Sequence, residues 1–192
     1  MWLSPNHQDT EFRLPMSLDD KITIFLDRTD GWQLGIAEQC ARTIKHSSFA
    51  VLHIVFSYFE AIAKYHDGFT KDGQSLKYFK RGFEIAFPST TQIPSIGREA
   101  ILHDLYSGVR CGLYHASLTA AHVSVCTLPD AEFYYNRRDR RIFIDPGRLA
   151  QSLRTHLVSY GAQLRRPSNA GLRTNFEKRY DYELSQPQGM KW

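Results

Sequence analysis

The sequence predicts a mainly α-helical bundle with a small β-hairpin before its last long helix. Three observations carry this. Apolar residues recur at steps of three and four along several long stretches, the spacing of one helical face. After about Thr119 the period changes, and short apolar runs flank a polar N-R-R-D-R segment, as in a hairpin. Capping residues, Gly and Pro fall at the borders of the periodic stretches. A chain of 192 residues suits one domain.

In chain order, residues 1–16 hold two prolines and no clear period, and read as an irregular arm. Ser17 with Asp19 and Asp20 reads as an N-cap followed by acids, which favour the positive end of a helix. That helix runs to about Asp30. A helical pattern resumes from Trp32 to Ile44 after a break at Gly31. The clearest helix spans Ser47 to His66, where Leu52, Val55, Phe56, Phe59, Ile62 and Ala63 form one apolar face. Ser47 or Ser48 can cap it and Gly68 can end it. Asp67 to Gly73 is turn chemistry. A helix from Ser75 to Phe87 carries Phe79, Phe83 and Phe87 on one side and stops at Pro88, and Pro88 to Pro94 read as a loop. Phe49, Phe56, Phe59, Phe79 and Phe83 read as core aromatics.

Gly97 to about Thr119 reads as the next long helix. His122–Thr127, Phe133–Asn136 and Arg141–Ile144 read as short strands. Asp145 caps a last helix with Pro146 at its first position, where a missing N–H costs nothing. Leu149, Leu153, Leu157 and Tyr160 line one face of it up to Leu164. The helical domain is thus 17–164, and residues 165–192 read as a polar C-terminal tail.

Composition narrows the function classes. No apolar run approaches the ~20 residues that span a bilayer, and Met1–Phe12 lacks the order of a signal peptide. Cys40, Cys111 and Cys126 form no C-x-x-C pair, so the expectation is neither a disulfide framework nor a zinc site, and a cytoplasmic location. His115 with His122, and His46 with His53, share a helical face by their spacing of seven but lack a third ligand, so no metal is expected. No Walker loop or G-x-G-x-x-G is present, so no cofactor is expected. The net charge of +4 is uneven: residues 1–130 sum to −2 and residues 131–192 to +6. Arginine dominates the basic part, and its planar fork suits phosphate. Arg137, Arg138, Arg140 and Arg141 are therefore candidate nucleic-acid contacts, with Tyr134 and Tyr135 beside them. The alternative is a solvated basic surface.

The Gly97–Thr119 stretch concentrates chemistry. On a wheel of about 100° per residue, Leu105, Val109, Leu113 and Ala116 define the core face. Arg110 and His115 flank the opposite face, about 140° apart, with His103, Asp104, Ser107, Cys111 and Tyr114 as neighbours. Gly108 and Gly112 weaken a helix by roughly 1 kcal/mol each relative to Ala, but let another backbone approach closely or let the helix bend.

The run L-Y-S-G-V-R-C-G-L-Y-H, Leu105 to His115, resembles the signature of HEPN domains, an Arg followed after four to six residues by a His. Arg98 and His103 share the spacing but not this local context. The resemblance covers roughly residues 20–165. It implies a HEPN-like helical bundle, commonly a homodimer through the motif helix, and for many members a metal-independent endoribonuclease of toxin–antitoxin or defence systems, with an antitoxin as a further partner. It implies Arg110 and His115 as the catalytic pair, with His103, Asp104, Cys111 and Tyr114 as supporting residues. Two positions depart from the family pattern: Cys111 stands where a polar residue often follows the Arg, and Ser117 where some toxins carry a tyrosine that an antitoxin modifies.

RNA brings its own nucleophile, the 2′-OH, so cleavage needs a base, an acid and positive charge on the phosphate. His115 supplies the first role near neutral pH, a second imidazole the acid, and Arg110 the charge. Because Arg110 and His115 diverge around the helix, a two-fold crossing of two copies would converge them. The rival readings are a catalytically inactive dimerisation module, with Arg110 paired to an acid such as Asp104, and a nucleic-acid-binding protein that uses the basic hairpin alone.

Overall fold

A computed structural model describes residues 1–71, 73–88 and 97–185. It is mainly helical with two small sheets. The elements are β1 (Trp2–Ser4), β2 (His7–Gln8), α1 (Leu18–Thr29), α2 (Gly35–Thr43), α3 (Ser48–Asp67), α4 (Ser75–Ala86), α5 (Arg98–Leu105), α6 (Gly112–Ala116), β3 (Val123–Val125), β4 (Phe133–Asn136), β5 (Arg141–Ile144), α7 (Pro146–Leu164) and α8 (Ala170–Ser185).

Helix α3 is the centre, and α2, α4, α7 and α8 all pack on it. The six apolar residues of its expected face are fully buried. It ends at Gly68, which takes the left-handed conformation (φ 68°) that glycine adopts without a Cβ clash. Its start differs from expectation: the Ser47 hydroxyl does not cap the helix but donates to the Cys40 carbonyl at 2.9 Å. Phe49 also departs from the core reading and is 38% exposed. The closest helix contact is α3 on α4, where a Cβ on Gly82 would fall 1.7 Å from the Phe59 carbonyl oxygen. Phe56, Phe59, Phe79 and Phe83 fill the space around that contact.

Helix α1 has the expected Ser17 cap, and Asp20 completes a reciprocal capping box. The expected break at Gly31 is absent. A wide π-turn over Asp30–Leu34 carries α1 into α2. Gly31 is needed for another reason: a Cβ there would lie 2.5 Å from Pro5. The first sixteen residues are accordingly ordered. Strands β1 and β2 form an antiparallel pair, followed by a 3₁₀ turn at Asp9–Glu11, and Asn6 fixes the pair to α1 through two hydrogen bonds to Asp27.

The expected hairpin is β4–β5, in antiparallel register from Phe133↔Ile144 to Asn136↔Arg141. Strand β3 adds to the other side of β5 in parallel, giving the order β3-β5-β4. Asp145 then caps α7, accepting from the Arg148 N–H at 3.0 Å.

The polar tail expected over 165–192 is, over its described part, largely helix α8. Its apolar content is small, but Phe176 and Tyr180 are buried, and ion pairs do the rest. Lys21 reaches Glu177 and Asp181 at 2.7 and 3.0 Å. Glu183 takes hydrogen bonds from Tyr65, Arg28 and Arg179. Part of the Asp67–Gly73 turn and most of the Pro88–Pro94 loop lie outside the described residues. Among the described residues no helix is long and apolar enough to cross a membrane.

Candidate functional site

The predicted helix over 97–119 is made of α5, a π-turn over Tyr106–Cys111, and α6. It ends at Ser117, which is left-handed (φ 55°). Leu105, Val109 and Leu113 are buried as the wheel required, whereas Ala116 is exposed. The cause is the π-turn: its i→i+5 bonds hold an extra residue, so later positions fall behind an ideal α wheel.

The two glycines let the following chain fold back against the turn. The Ala120 N–H donates to the Gly108 carbonyl at 2.8 Å. A Cβ on Gly112 would lie 2.6 Å from the Leu118 carbonyl oxygen, and one on Gly108 would lie 3.1 Å from the Ala120 Cβ. Close backbone approach, the use anticipated for Gly108 and Gly112, is realised within the chain itself.

Arg110 sits inside this π-turn, and its Nε donates to Glu60 Oε1 on α3 at 2.8 Å. The pair is half-buried, with side-chain exposures of 29% and 15%. The expected acid, Asp104, is not the partner: it stays on the outer side beside His103, with 3.9 Å between Nδ1 and Oδ1. Burial pulls the Arg110 pKa down, but the Glu60 carboxylate outweighs it and the net shift is upward. The guanidinium also lies over two rings, 5.7 Å from the Tyr106 centroid and 5.3 Å from that of Tyr114, contacts that favour a cation. Its two terminal nitrogens donate to no protein atom among the described residues.

His115 is exposed and touches the edge of Tyr114, at 5.1 Å between centroids and 84° between planes. Tyr114 is itself 65% exposed, and on its other contact it stacks with His53 of α3 at 6.1 Å and 25°. Cys111 is a half-buried free thiol beside Tyr106, whose pKa rises through burial first and then through Cys111. The structure thus brings Arg110, Tyr114, His115 and Cys111 onto one short segment, and adds Glu60, Tyr106 and His53. His103 and Asp104 stand apart from the guanidinium contacts. The sequence signal for the added α3 residues was the polar strip His53, Ser57 and Glu60, spaced by four and three on an otherwise apolar helix.

The second arginine with the motif spacing does a structural task. Arg98 donates to the Phe87 carbonyl at 3.3 Å and lies over the Phe83 ring.

The arginines of the basic half are either tied to internal partners or exposed, Arg165 and Arg166 just after α7 among the exposed ones. Arg148, Arg154, Arg173 and Arg179 are committed to internal partners: Leu128 carbonyl, Asp30 with Glu38, Leu164 carbonyl, and Glu183. Arg137, Arg138, Arg140 and Arg141 are exposed at the β4–β5 turn. There Asn136 Oδ1 accepts from the Arg138 and Asp139 N–H groups, and Arg140 is left-handed (φ 49°). Tyr134 is exposed beside them.

A recess of about 700 Å³ lies elsewhere, between β2, α1 and α7. Of the charged residues lining it, Asp30, Glu38 and Arg154 satisfy one another, and Asp27 accepts from Asn6. Among the described residues no three His, Cys, Asp or Glu side chains gather as a metal site. No protein-family model, curated protein or solved structure matches this chain.

Proposed function

We propose that the chain is a HEPN-like domain acting as a metal-independent endoribonuclease, with Arg110 and His115 as its reacting pair. The observation that supports it most is the state of Arg110. A carboxylate and two aromatic rings hold the guanidinium at the surface while both terminal nitrogens stay uncommitted among the described residues. That is the arrangement a phosphate needs, because two parallel N–H donors meet two phosphate oxygens. An exposed imidazole follows on the same helix.

In this reading the RNA phosphodiester docks on Arg110. His115 takes the 2′-OH proton, the 2′-oxygen attacks phosphorus, and an acid protonates the departing 5′-oxygen. The products carry a 2′,3′-cyclic phosphate and a 5′-hydroxyl. Preorganised positive charge stabilises the phosphorane. Dimerisation through the motif helix, as the resemblance implies, would supply a second His115. The exposed Tyr114 and Leu118 offer apolar surface for such a contact. The hairpin arginines would hold the RNA backbone.

The test is incubation of the wild type, Arg110→Ala and His115→Ala with RNA in EDTA, reading the ends formed. Cyclic-phosphate ends from the wild type and loss of about 10²-fold or more in either variant are expected. Equal cleavage by all three proteins would overturn the assignment. The ion pair with Glu60 favours a second reading, a catalytically inactive binding module in which Arg110 ties two helices together. Absence of cleavage, together with a stability loss in Arg110→Ala, would select it.

A further inference from the structure

We propose that His53 is the general acid of this site, supplied by the same chain as Arg110 and His115. The inference rests on the ribonuclease reading above and names the group that reading leaves to a second copy. Helix α3 carries His53 and Glu60 seven residues apart, two helical turns, and so on one face. Both reach the motif segment. Glu60 bonds Arg110 at 2.8 Å, and His53 stacks on Tyr114 at 6.1 Å, four residues further along. The two helices therefore pass one another in opposite directions, with two side-chain rungs between them.

Tyr114 is the hub of this arrangement. One ring is touched by the Arg110 guanidinium (5.3 Å), the His115 imidazole (5.1 Å) and the His53 imidazole (6.1 Å). The separation of the two imidazoles cannot exceed the sum of their distances from that ring. His53 is exposed and has no hydrogen bond or ion pair among the described residues, so both its nitrogens are available to solvent and substrate. Imidazole is the side chain suited to giving and taking protons near neutral pH. A phosphodiester seated on Arg110 would have two imidazoles within reach around a single exposed ring.

The step balances without a co-reactant. His115 accepts the proton of the 2′-OH as the 2′-oxygen–phosphorus bond forms. The phosphorus–5′-oxygen bond breaks, and His53, protonated beforehand, gives its proton to the leaving oxygen. The two rings then exchange protons with water to reset.

A substrate with sulfur in place of the bridging 5′-oxygen tests this, because a thiolate leaves without a general acid. His53→Ala and His53→Gln should each cleave the oxygen substrate about 10²-fold or more slowly than wild type and regain most of the wild-type rate on the sulfur substrate. His115→Ala should be slow on both. A mixture of His53→Ala and His115→Ala chains should stay as slow as either alone, because no chain then holds both imidazoles. Wild-type rates in the His53 variants, or equal slowing on both substrates, would overturn the assignment while leaving the ribonuclease reading intact. Recovery on mixing would move the acid to the other copy and overturn it too. A wild type that cuts neither substrate would remove the ribonuclease reading, and this one with it.

Discussion

At the scale of single residues, the molecule separates charges that hold from charges that are held ready. Arg110 is bound through Nε and left open at its other end. Glu60→Gln should therefore leave the fold intact, cost about 1 kcal/mol as expected for a half-exposed pair, and, if the proposed ribonuclease reading holds, slow cleavage by about tenfold as the guanidinium loses its tether. Urea unfolding and initial rates on one RNA would measure both, and an unchanged rate would mean that the rings alone position Arg110. His156 is a different case. It is largely buried on α7, with Nδ1 2.8 Å from the Tyr58 hydroxyl, and burial lowers its pKa to about 4. The unfolded chain binds this proton below about 6.5, the folded chain below about 4. Stability is thus full above the unfolded value and is lost as the pH falls from about 6.5 towards 4, by up to about 3 kcal/mol. Denaturation midpoints across that range should show the loss, and His156→Gln should flatten it; a wild-type curve that stays level from pH 7 to 4 would contradict the assignment.

At the scale of elements, spacing that depends on strong periodicity was legible in the sequence, and features set by contact were not. The α3 face and the start of α7 follow from apolar steps and a Pro after a cap. The motif-helix core residues Leu105, Val109 and Leu113 were legible too. The π-turns at Asp30–Leu34 and Tyr106–Cys111 were not, because a periodicity argument assumes a constant turn. Helix α8 was hidden because charged pairs outweigh its few apolar residues, and pairing partners 156 and 160 residues away leave no local trace. Of the candidate site, Arg110 and His115 stood out in the sequence through the local run around them, while the contacts of Glu60 and His53 with that segment needed the crossing of α3. The same crossing logic makes Gly82 the position least open to change. Gly82→Ala must push α4 from the Phe59 carbonyl and should cost about 3 kcal/mol, whereas Gly171→Ala meets nothing within 4 Å and should gain up to about 1 kcal/mol of helix propensity. Urea midpoints of the two variants would have to move in opposite directions.

At the scale of the whole molecule, charge is divided between internal ties and exposed arginines, four of them at the β4–β5 turn. If the turn grips an RNA backbone, replacing Arg137, Arg138 and Arg140 by Ala should weaken binding similarly for different sequences and make the salt slope shallower by about 2–3. Fluorescence anisotropy over a salt series would read this, and an unchanged slope would remove the turn from the interface. The fold-back of Ala120 onto Gly108, and of Leu118 over Gly112, also sets where the protein can be engineered. Those contacts fix the length of the connection from α6 to β3, so a graft there would pry the sheet from the bundle. The β4–β5 turn ends in solvent, and a peptide or fluorophore inserted among its arginines should be carried without disturbing the architecture.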